Sequence, residues 1–124
     1  MITEDYVSFE VAKLLKEKGF DEDCYTFYEY DNKEFYREER IPCCNSRSDD
    51  YAAPTHQMAM KWLREKYYIY ADPIKQGNYN DCSEYYTWIV ARMGIIHRNS
   101  SVADKLSYEE AVEAALKYSL ENLI

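Results

Sequence analysis

Three glycines, Gly19, Gly77 and Gly94, stand isolated in 124 residues. A P-loop and a dinucleotide-binding turn both need glycines in close succession, so neither can be written here. No apolar stretch approaches the roughly 20 residues needed to span a bilayer. The first residues, Met1-Ile2-Thr3-Glu4-Asp5, carry acid where a signal peptide needs base. The expectation is a cytoplasmic chain with no membrane association. Positive charge is also short: 15 Lys and Arg face 23 Asp and Glu, a formal net charge of −8. That balance argues against holding nucleic acid through its phosphates, which would repel such a surface.

The four cysteines, Cys24, Cys43, Cys44 and Cys82, are even in number, but without a secretion signal their reading is reduced thiols. Cys43 and Cys44 are adjacent and lack the two-residue spacer that lets paired thiolates share a zinc ion. Completing a site would need His56, His97, Cys24 or Cys82 from distant positions. We therefore expect no metal and no cofactor. Nucleophilic catalysis would need Cys43 or Cys44 to meet His56, or Cys82 to meet His97. Neither pairing is fixed by spacing, and a histidine in a first helical turn is ordinarily a surface group. The acidic runs Asp21-Glu22-Asp23, Glu38-Glu39 and Asp49-Asp50 read as solvated loops rather than as a glycosidase pair.

The plentiful features are helix caps and tyrosines. The length suits one globular domain over residues 1–124. Ser8 can cap a first helix whose apolar stripe is Val11, Ala12, Leu14 and Leu15 and which Gly19 ends, with Lys13, Lys16, Glu17 and Lys18 on the wet side. Pro54 and Thr55 precede a second, in which Ala59, Trp62 and Leu63 share a face. Ser107-Tyr108-Glu109-Glu110 is a capping box for a third, with Ala111, Ala115 and Tyr118 at helical spacing. Cys24 to Tyr30 and Glu34 to Arg37 read as a hairpin around Asp31-Asn32-Lys33. Tyr67 to Ala71 and Glu84 to Met93 read as another with a long polar tip, Asp72 to Asp81. Glu38 to Tyr51 and Asn99 to Lys105 read as loops. The order is α-β-β-α-β-β-α, giving an α+β fold: a four-stranded, mainly antiparallel sheet with helices packed mostly on one face.

Three runs carry a resemblance. Val7 to Phe20, Ala53-Pro54-Thr55 through Lys61-Trp62-Leu63-Arg64-Glu65, and Ser107 to Ala111 with Leu120 to Ile124 resemble short proteins of gut Bacteroidales and their phages or integrated elements. Those proteins have no assigned activity. The likeness implies a bacterial or phage setting and transfers no functional residue.

Fourteen tyrosines supply the functional argument. Alternation puts Tyr28 with Tyr30, Tyr68 with Tyr70, and Tyr86 with Trp88 on matching sides of their strands. If helices cover one face, these six form an aromatic surface on the other. Tyrosine gives large contact area at low entropic cost and is enriched at interfaces. Strand propensity alone also favours tyrosine, so the pattern would arise in a sheet built only for stability. The functional expectation is a non-enzymatic interaction protein that pairs with itself as a homodimer. Two other readings are a small hydrolase or transferase with a Cys-His or Tyr-His site, and an acidic phage-encoded inhibitor of a nucleic-acid-binding protein.

Overall fold

A computed structural model describes residues 2–78, 83–98 and 106–124. The elements run α1 (Phe9–Glu17), β1 (Thr26–Tyr28), β2 (Phe35–Arg37), a 3₁₀ turn (Asn45–Arg47), β3 (Tyr51–Ala52), α2 (His56–Tyr67), β4 (Ile69–Asn78), β5 (Ser83–Arg92), β6 (Ile95–Arg98) and α3 (Tyr108–Asn122). The class is α+β. The sheet, however, is not four-stranded: the strands form two antiparallel three-stranded sheets, ordered β2-β1-β3 and β4-β5-β6. Two short strands escaped the sequence reading. β3 has two residues, too few for alternation to show, and β6 follows a two-residue turn that lacks the usual Asn-Gly. Cys82, the hairpin tip 79–82 and the expected loop 99–105 lie outside the described residues. The chain divides into two compact units, Met1–Ala59 and Met60–Ile124.

In the first unit, Ser8 Oγ accepts from the Val11 amide and starts α1. The helix ends in a Schellman turn: the Gly19 amide donates to Lys16 O and Phe20 to Leu15 O, with Gly19 at φ +90°. Val11, Ala12, Leu15 and Phe20 are fully buried. Lys16 is not on a wet face as expected, because its ammonium donates to the carbonyls of Ser48 and Asp50, both at 2.8 Å. Asn45 is buried with both ends of its amide engaged, donating to Phe20 O at 2.8 Å and accepting from the Ala52 amide at 3.0 Å. It ties the exit of α1, the 3₁₀ turn and β3 together. The expected loop 38–51 is thus a braced segment.

In the second unit, β4 and β5 pair along ten positions, and β5 pairs with β6 from Ile89↔Arg98 to Arg92↔Ile95. The turn between β5 and β6 is Met93-Gly94, with φ +50° and +83°, the two positive values of a type I′ hairpin. Helix α3 packs on β4 and β5. Its capping box is formed: Ser107 Oγ accepts from the Glu110 amide and Glu110 Oε1 from the Ser107 amide. Ala111, Val112, Ala115, Leu116 and Leu120 are buried. No helix among the described residues is long and apolar enough to cross a membrane.

Candidate functional site

The six residues expected to share an aromatic surface are divided by the structure. Tyr28 faces inward in the first unit: its ring lies edge-on to Phe9 and Phe35, and its hydroxyl donates to Val7 O at 2.7 Å. Tyr30 lies beyond β1 and stacks on Tyr51 at 6.4 Å. Tyr68 belongs to no strand. Its amide donates to Arg64 O, and it closes α2 in the left-handed conformation, φ +58°, where glycine is usual. Tyr86 and Trp88 face α3, packing on Tyr108 at 5.4 Å and Tyr118 at 5.1 Å. Only Tyr70 stands on the side of the β4-β5-β6 sheet away from α3.

The cause is register parity. Ile69 pairs with Arg92 and Ala71 with Val90, so odd positions of β4 share a face with even positions of β5. Placing Tyr70 beside Tyr86 and Trp88 required the opposite parity. One residue more or less between the strands would have inverted it.

Cross-strand pairing defines what that open face carries. The register builds the rows Tyr70–Ala91–Ile96 and Asp72–Ile89–Arg98, followed by Ile74 beside Thr87. Tyr70 is 50% exposed and Ile96 54%, while the central Ala91 and Ile89 are half-buried between neighbouring strands. The face therefore has a large aromatic side chain at one edge, a branched aliphatic at the other and a small residue between. The second row has a carboxylate at one edge and a guanidinium at the other. Ile96, Ile89, Asp72 and Arg98 were missed from sequence. Reading Met93-Gly94 as a two-residue turn would have revealed β6.

The opposite face is covered by α3 over β4 and β5, while Ile95 at the β6 edge of that face is 61% exposed. Ile69, Ala71 and Val90 are buried there. The Tyr118 hydroxyl lies 2.9 Å from His97 Nδ1, and Arg92 Nη1 donates to Leu123 O at 2.6 Å. His97, one of the sequence candidates for a base, is thus held by Tyr118. The other, His56, is buried at the start of α2.

The thiols lie in the first unit. Cys24 and Cys43 exchange both backbone hydrogen bonds as an antiparallel bridge, at 2.9 and 2.6 Å. Burial pushes the Cys24 thiol up to about 12, with Cys43 beside it adding to the effect. Burial also raises Cys43. Cys44 donates to Asp21 Oδ1 at 2.8 Å, and that bond, with others from the Ser46 amide and hydroxyl, holds the Asp21 carboxyl below its ordinary value. Burial thus holds the Cys24 and Cys43 thiols in their protonated form, the reverse of activated nucleophiles. Among the described residues no group of three or more His, Cys, Asp or Glu could hold a metal ion. A cleft of about 360 Å³ lies in this unit, bounded by Tyr6, Cys24, Tyr25, Arg37, Glu38 and Met58 among others. Arg37 already spans it toward Tyr6, donating to the hydroxyl at 2.9 Å.

No known protein family, curated protein or solved structure matches the chain.

Proposed function

We propose that the protein is a non-enzymatic interaction module that self-associates through the open face of the β4-β5-β6 sheet. The observation that carries this reading is the row Tyr70–Ala91–Ile96, which leaves an aromatic and a branched aliphatic side chain half exposed on a sheet whose other side is packed by α3 over β4 and β5. Apolar groups aligned on a solvent face gain by being covered, at roughly 25 cal/mol per Å² removed from water. Closed twofold pairs are the commonest way to cover such a face. The buried Cys24 and Cys43 thiols, whose pKa values burial raises, and the engagement of His97 by Tyr118 favour this reading over a Cys-His enzyme. A bacterial or phage setting rests on the sequence resemblance alone.

A second reading is favoured by the charge distribution. Residues 1–59 hold 14 acidic and 7 basic side chains, so the first unit carries −7 of the chain's −8. That concentration suits an acidic decoy for a nucleic-acid-binding protein.

The test of the first reading is light scattering over a concentration series, with circular dichroism as a check of folding. The wild type should gain mass with concentration, and Tyr70→Ser/Ile96→Ser should stay monomeric with an unchanged spectrum. A wild type that remains monomeric at millimolar concentration would remove self-association.

A further inference from the structure

The geometry points to one arrangement of that pair: two copies packed face to face, with the twofold axis parallel to the strands and running over β5. This inference rests on the reading above and adds the partner's orientation. In β4-β5-β6, β5 is central and the other two are edges. A twofold axis along β5 sets each β4 over the β6 of the other copy. An axis across the strands would instead set β4 over β4 and β6 over β6.

The two rows distinguish these arrangements. With the axis along the strands, each Tyr70 meets the other copy's Ile96 while Ala91 meets Ala91, so large and branched groups flank a small centre. Each Asp72 meets the other copy's Arg98, and Ile89 meets Ile89. With the axis across the strands at the level of that row, Asp72 would approach Asp72 and Arg98 would approach Arg98, so like charges would be opposed. An axis between the two rows would set Asp72 over Tyr70 and Arg98 over Ile96, leaving neither charge with an opposite one. Stacked sheets lie roughly 10 Å apart, a gap that an aspartate and a long arginine side chain can close between them. Within one chain Asp72 and Arg98 sit on opposite edges with β5 between them. Neither takes part in an ion pair among the described residues. Their charges are available to a second copy.

Charge exchange tests the arrangement. Twofold symmetry makes each single change act twice, so Asp72→Arg creates two Arg–Arg approaches and Arg98→Asp two Asp–Asp approaches. Each single variant should dimerise about tenfold or more weakly than the wild type in low salt, read by sedimentation velocity. The double variant Asp72→Arg/Arg98→Asp should return to within about threefold of it. A structural role for either residue would not produce that rescue. Should a single reversal unfold the chain, Asp72→Asn and Arg98→Gln serve instead, each expected to weaken association by about threefold. Two outcomes overturn the arrangement while leaving self-association standing: unchanged dimerisation in both single variants, or weakened singles without rescue in the double. Tyr70→Ser/Ile96→Ser bears on the face itself, so failure of the face and failure of the orientation are told apart.

Discussion

Cys24 shows what burial does to a single group. Its folded pKa, near 12, stands well above the roughly 8.5 of an exposed thiol in an unfolded chain. A raised pKa means that its stability contribution is fully present below about pH 8.5 and is lost as pH rises through 12, because only the unfolded chain then gains by ionising. Urea midpoints of the wild type should therefore fall faster between pH 9 and 11 than those of Cys24→Ala. Parallel curves would show that Cys24 does not ionise differently in the two states. In the same range the native Cys24 thiol should react with a disulfide reagent only after unfolding. Asn45 shows the other side of residue-level reading. Nothing in its sequence neighbourhood marked it as buried, because its two partners, Phe20 O and the Ala52 amide, come from elements apart in the chain.

At the scale of elements, short-range signals were legible and long-range ones were not. The caps at Ser8 and Ser107 and the stop at Gly19 each depend on residues within about five positions, and all three formed as read. Strand pairing depends on turn length, so one residue decides which face a whole strand presents. That is why Tyr86 and Trp88 were assigned to the wrong side although their strand was placed within a residue of its limits. The turn Met93-Gly94 carries a further consequence. Met93 is exposed and holds φ +50°, a conformation that asparagine tolerates better than methionine. Met93→Asn should raise stability by about 0.5 kcal/mol or more, seen as a higher denaturation midpoint at unchanged slope. A lower midpoint would mean that the methionine has an apolar contact worth more than the relieved backbone.

For the molecule as a whole, the acid gathered in residues 1–59 sets a constraint on assembly. Two copies of a chain carrying −8 repel, so association has to come from a surface of mixed charge and apolar area. Residues 60–124, with 9 acidic and 8 basic side chains, are nearly neutral and hold the open sheet face. The tyrosine content pointed toward an interface but not to its members, since of the six aromatic residues singled out only Tyr70 lies on that face. The most direct measurement is an isotope-filtered NOE experiment on an equal mixture of ¹³C-labelled and unlabelled chain, which registers only contacts between copies. Cross-peaks are expected between the Tyr70 ring of one copy and the Ile96 methyls of the other, at concentrations where scattering reports a dimer. A dimer whose intermolecular cross-peaks bypass Tyr70 and Ile96 would mean that the copies do not meet through the open face of β4-β5-β6.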